Sequence, residues 1–120
     1  MNKIVTAVNK MIENQKKITS VLYSSSAGDN HEYFFLYDNK YKWSILQADP
    51  SNFNLFYYPG EKTTIDQLAS LNYIEDNNYV VYKTSEIKTR EATESFSELF
   101  TIVSSRLFGM DDVLDSIINE

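Results

Sequence analysis

Hydrophobic positions recur along this chain with two periods, and each change of period marks an element. Ile4, Val8, Met11 and Ile12, with Gln15 completing the row, fall at steps of three and four between lysines. That spacing predicts an amphipathic helix over residues 2–17. ITSVLYS, residues 18–24, is rich in β-branched and aromatic side chains and predicts a strand. SSSAGDN, residues 24–30, is a loop by composition. EYFFLYDNKYKW, residues 32–43, packs six aromatic residues into twelve and opens a hairpin over 32–47.

The second half repeats the alternation of periods. ADPSN (48–52) is a turn, and FNLFYY (53–58) is a strand closed by Pro59-Gly60. Thr64-Ile65-Asp66-Gln67 matches a capping box, which predicts a short helix to about Leu71 with Ile65, Leu68 and Leu71 inward. EDNN (75–78) reads as a loop and YVVYKT (79–84) as a strand. Ala92, Phe96, Leu99, Phe100, Val103 and Leu107 then recur at helical steps and predict a long helix over 89–108, with Gly109 as its stop signal. A last short helix follows, capped by Asp111, with Val113, Leu114, Ile117 and Ile118 as its apolar stripe. Asp111 and Asp112 sit where the helix dipole favours anions.

Strands joined by short turns run antiparallel. The expected fold is therefore α+β: a single antiparallel sheet of about five strands, an N-terminal helix, a short middle helix, a long C-terminal helix and a short terminal helix. The helices should pack mainly on one face. Residues 1–120 form one globular domain, with no internal repeat or linker, near the modal domain size.

The hairpin has a parity that matters. A two-residue turn at Asp38-Asn39 or at Asn39-Lys40 places Phe34, Leu36, Tyr41, Trp43 and Ile45 on one face. Tyr33, Phe35, Tyr37, Lys42, Ser44 and Leu46 then share the other. A three-residue loop would mix the two sets. On the two-residue reading the first face is core. Tyr33, Phe35 and Tyr37 are left for the chain's own helix, a second copy or a foreign protein to cover; if the protein is a dimer through this face, Phe35→Glu should give a monomer that still folds.

Charge changes the picture. The chain carries a formal −6, which argues against general binding to phosphate backbones. The charge is also unevenly placed. Residues 1–20 carry a net +3 from Lys3, Lys10, Lys16 and Lys17 against Glu13, whereas residues 86–120 carry a net −5. Either the terminal helices attract each other or are simply solvated, or the acidic C-terminal part faces a basic partner. Zero cysteines remove disulfides and thiolate chemistry and fit a reducing compartment. MNKIVTAVNKMIENQKK lacks the apolar run of a secretory signal, and no stretch approaches the ~18 apolar residues of a membrane helix. A cytoplasmic protein without membrane contact is expected.

Candidate chemistry is sparse. His31 is the only histidine and adjoins a polar loop; no second histidine or thiol exists to complete a zinc site. Ser24, Ser25 and Ser26 lack the elbow that exposes a nucleophile. Glu91, Glu94 and Glu98 share a helical face, where paired carboxylates could hold a hard cation or transfer protons, but a solvated face explains them as well. With only three glycines there is no phosphate-cradling loop. Tyr33, Phe35 and Tyr37 beside Lys40 and Lys42 resemble a base-stacking surface, against which the acidic balance weighs.

These exclusions point to a non-enzymatic protein-binding module without a cofactor or metal. The leading expectation is a stoichiometric inhibitor of the immunity or phage anti-defence type that masks a partner surface. Its contact residues would be Tyr33, Phe35, Tyr37, Lys42, Glu91, Glu94 and Glu98. The partner would be another protein, a basic one on the charge argument, or a second copy in a homodimer. The alternatives are a dimeric secretion chaperone and a small-molecule-binding protein that uses carboxylates and tyrosines.

Overall fold

Asn2 starts the first helix by accepting a hydrogen bond from the Ile4 N–H onto its side-chain oxygen at 3.0 Å. The computed structural model describes residues 2–24, 31–60, 63–70, 79–107 and 109–120. Helix α1 runs Lys3–Glu13, and a 3-10 turn at Gln15–Lys17 replaces the last part of the expected helix. Strand β1 (Ile18–Ser24) follows, then β2 (Glu32–Tyr37), β3 (Tyr41–Asp49) and β4 (Asn52–Tyr58). Helix α2 (Ile65–Ser70) precedes β5 (Val80–Lys83). A short α3 (Thr84–Ile87), the long α4 (Arg90–Leu107) and α5 (Met110–Ile118) complete the chain.

The five strands form one antiparallel meander in chain order. Short connections between β1 and β4 leave each strand beside its predecessor, and β5 returns next to β4 after α2. This is the expected α+β arrangement, with one difference in layering. Helices α1 and α4 cover one face of the sheet, while α2 covers part of the other. The main core joins Val8 and Met11 of α1 to Phe96, Leu99 and Val103 of α4 and to Phe35, Ile45, Phe53 and Leu55 of the sheet. A second, smaller core gathers Phe34 and Tyr58 against Ile65 and Leu68 of α2. Leu71, the third expected inward residue, and the EDNN loop lie outside the described residues.

Helices α1 and α4 run in the same direction. Ser95 Oγ donates to Asn9 Oδ1 at 2.7 Å, and farther along Arg106 donates to the Gln15 carbonyl at 3.1 Å. The capping box forms in both directions. Gln67 N–H donates to Thr64 Oγ1 at 3.2 Å, and Thr64 N–H donates to Gln67 Oε1 at 2.9 Å.

Two features were not legible as such. Thr84 reads as the end of a strand, but it opens α3. Its buried hydroxyl accepts from the Phe53 N–H at 2.9 Å and bonds Asn52 Oδ1 at 3.1 Å, which ties α3 to the start of β4. Before α5, Gly109 rather than Asp111 occupies the N-cap position. It sits at φ +59°, a left-handed backbone that suits glycine because no Cβ meets the carbonyl.

Candidate interaction surface

The hairpin turn decides which aromatics are available to a partner. Tyr37 pairs directly with Tyr41, so three residues, Asp38, Asn39 and Lys40, form the loop instead of two. Asp38 and Asn39 both take left-handed φ, at 56° and 58°. Two contacts, from the 3-10 turn and from the start of β1, hold them there. Asp38 N–H donates to the Lys17 carbonyl at 3.0 Å, and Thr19 Oγ1 donates to Asn39 Oδ1 at 3.2 Å. The odd loop shifts parity and mixes the expected sets. Phe35 now faces Trp43, and Tyr33 faces Ile45, on the side covered by α1 and α4. Phe34, Leu36, Lys42 and Ser44 lie on the α2 side.

This corrects the expected contact surface. Phe35 is 0% exposed and belongs to the main core, so it has no surface to offer. Tyr33 is half-buried, with its ring edge-on to Phe100 of α4 at 5.5 Å. Tyr37 also packs against this core. The chain's own helices cover the aromatic face. Tyr41, assigned to the core by the two-residue turn, is instead 39% exposed. Lys42 reaches the carbonyls of Gly60 and Thr63, where it braces the segment after β4. Glu91, Glu94 and Glu98 are exposed on α4. Arg90 pairs with Glu94 at 2.8 Å, but both side chains are well exposed, so the pair adds little. The structure does not bring the three glutamates together with the tyrosines.

A polar cluster that was not anticipated lies on the α2 face. Glu32, Ser44 and Tyr58 come from three adjacent strands, and all are buried. Ser44 Oγ donates to Glu32 Oε2 at 2.8 Å and stands 2.9 Å from the Tyr58 hydroxyl. A serine has one proton to give, so Tyr58 donates to Ser44 and the chain of bonds ends on the carboxylate. Burial pushes the Glu32 carboxyl above its usual range, and the Ser44 hydrogen bond opposes this in part. Burial likewise raises the Tyr58 phenol, more than the Ser44 bond lowers it, and the Glu32 charge adds to the rise. Ser44 is inaccessible to solvent, and the cluster ties three neighbouring strands together beneath α2. Hydrophobic alternation had placed Ser44 on a sheet face, but no local signal marks Glu32 as its partner twelve residues away.

The open clefts are shallow. One of about 520 Å³ is bordered by Leu36, Tyr41, Lys42, Tyr57 and Thr64, with Lys42 already occupied by backbone carbonyls. Another, of about 560 Å³, runs along α1 between Lys3, Lys10 and Glu91, where the basic and acidic helices meet. His31 lies at the surface, 3.3 Å through Nδ1 from the Tyr23 hydroxyl. Among the described residues no group of three His, Cys, Asp or Glu side chains could hold a metal ion, and no helix is long and apolar enough to cross a membrane.

Among the described residues, large apolar side chains are exposed singly at Tyr23, Tyr41, Tyr79 and Val80, and in a row on α5. Val113, Leu114, Ile117 and Ile118 are 45%, 49%, 59% and 76% exposed. At 100° per residue these four occupy one continuous stripe, while Asp112 and Asp115 fall on the opposite side. Isolated exposed leucines need no explanation, but four large aliphatic residues on one stripe of one helix do. The stripe was visible in the sequence; its exposure was not. No family model, curated protein or solved structure matches this chain.

Proposed function

We propose that this chain is a non-enzymatic protein-binding module, acting as a stoichiometric inhibitor that masks a partner surface, with α5 as its principal contact. One observation carries the reading: four large aliphatic side chains lie exposed on one stripe of α5. Phe35 and Phe34 are buried by the chain itself, and the other exposed apolar side chains, Tyr23, Tyr41, Tyr79 and Val80, do not lie on a helical stripe. The acidic balance of the last third of the chain supports a basic partner and disfavours nucleic acid. The buried polar residues Glu32, Ser44 and Tyr58 support a structural role for the sheet, because their hydrogen-bonded network is sealed from solvent.

The experiment is affinity capture with the intact chain from cells that carry its gene, followed by mass spectrometry and by titration of the purified partner. A partner that binds at one-to-one stoichiometry and loses its own activity in the complex is the expected result. If no macromolecule is retained above the level of an unrelated acidic domain, the reading fails.

A further inference from the structure

We infer that Glu32 is a proton-operated latch for α2: the helix lies closed over the sheet while the Glu32 carboxyl holds its proton, and the α2 layer opens when the proton leaves. This latch does not depend on what α5 binds. Glu32 is 7% exposed and lies on the α2 face, opposite Ser24 of β1 and Leu46 of β3. Its donor is a neutral hydroxyl, Ser44 Oγ at 2.8 Å, and the Tyr58 phenol behind Ser44 carries no charge either. A buried carboxylate is tolerated when a cation compensates it. None faces this one. On the same side of the sheet, Lys42 stands four residues along β3 from Leu46, about 13 Å at 3.3 Å per residue, and donates to the Gly60 and Thr63 carbonyls. Lys83 ends the row Glu32–Leu46–Asn54–Lys83, three strands or about 14 Å away, and pairs with Glu86. Helix α2 contributes only Asp66, exposed and of the wrong sign. Tyr79 packs on Phe56, and His31 bonds Tyr23 on the opposite face. Residues 25–30, 71–78 and 108 contain no lysine or arginine, and Lys62 has Glu61 beside it in the sequence.

Once ionised, the carboxylate gains most by reaching water, and the two sides of the sheet differ in how readily they admit it. Among the described residues, thirteen buried side chains form the core on the α1 and α4 side. Four, Phe34, Tyr58, Ile65 and Leu68, form the core under α2. Helix α2 is six residues long and packs over β1 and β2, the strands that carry Ser24 and Glu32. The smaller packing unit opens at the lower free energy, so the α2 layer yields while the main core holds. Burial raises the Glu32 carboxyl above its ordinary 4.5, whereas in the open form it titrates in water. Opening at neutral pH therefore releases a proton. The hold on α2 is complete below the ordinary value and weakens as pH rises through the raised one. Opening uncovers Phe34 together with the half-buried Leu22 and Leu36.

The test is hydrogen exchange read by mass spectrometry on the full chain, wild type and Glu32→Gln, at pH 5.5 and pH 8, with each rate divided by the intrinsic chemical rate. In the wild type, peptides spanning 64–70 should open about threefold or more as often at pH 8, while peptides spanning 92–103 in α4 keep their protection. Glu32→Gln has no proton to lose, so its α2 should be protected equally at both pH values. A carbon-13 NMR titration of the Glu32 carboxyl gives a second reading that needs no variant, and its midpoint should lie above 4.5. Any of four results overturns the latch: α2 protection indifferent to pH, α2 and α4 losing protection together, a Glu32→Gln chain that keeps the pH dependence, or a Glu32 midpoint at or below 4.5. Each of them leaves the protein-binding reading of α5 untouched.

Discussion

Helices α1 and α5 carry apolar stripes of similar make-up, and the fold covers only one of them. In α1, Ile4, Val5, Val8 and Met11 are buried against α4 and the sheet. In α5, Val113, Leu114, Ile117 and Ile118 are all exposed. Both helices have a period of 3.6, although only α1 has a side-chain N-cap, from Asn2. The difference lies in what each meets. Helix α1 packs alongside α4 and shares its core, whereas α5 follows the left-handed turn at Gly109 and contributes none of the described core residues. An amphipathic pattern therefore states that a helix has a face to bury, not that its own chain will bury it.

The contrast can be broken most sharply by charge placed in each region. Val8→Asp in α1 and Phe35→Glu beneath it put an uncompensated carboxylate at positions with no exposure. Each should cost more than about 5 kcal/mol, enough to exhaust the stability of a small domain. Circular dichroism should show an unfolded chain, whereas Phe35→Leu, which keeps most of the volume, should fold with a loss of under about 1.5 kcal/mol. A folded Phe35→Glu protein would mean that the aromatic face is open after all, as the two-residue turn implied.

Ser44→Ala should have the next largest effect. It leaves Glu32 and Tyr58 buried without their shared partner, and urea titration should register a loss of about 1–3 kcal/mol. Glu32 itself gives a pH signature. Its folded pKa is raised by burial, so the folded state favours the protonated form. The associated stability is fully present below the ordinary value of 4.5 and is lost as pH rises through the raised folded value. Glu32→Gln removes this titration. Its Tm should exceed that of the wild type by a few degrees at pH 8, and the advantage should vanish toward pH 4. A difference independent of pH would place the Glu32 carboxylate in water.

The smallest expected effect on stability belongs to Ile117→Asp in α5. The side chain is already largely in solvent, and the change should stay within about 0.5 kcal/mol of wild type. The same substitution that unfolds the protein at position 8 should be silent at position 117 in a melt, and visible only in binding. A loss of several kcal/mol would show that α5 is packed in solution.

Much of this architecture was written locally. The 3.6-residue steps of α1 and α4, the β-rich composition of β1 and β4, the Thr64–Gln67 capping box and the Gly109 stop each depend on neighbours within a few residues. Local sterics and hydrogen bonds suffice to express them, and the meander order follows from short connections. The register of the central hairpin was a different matter. Whether Asp38-Asn39-Lys40 closes as two residues or three is nearly neutral locally, since Asp and Asn both tolerate the left-handed region. The Lys17 carbonyl of the 3-10 turn and the Thr19 hydroxyl of β1 settle it, and with it the side on which Phe35 lies. Elements and their amphipathic faces were therefore determined by the sequence itself, because short-range geometry encodes them. The burial of Tyr33 and Phe35, the Glu32–Ser44–Tyr58 network and the exposure of α5 were decided by tertiary structure, because each depends on which distant surface arrives to cover it.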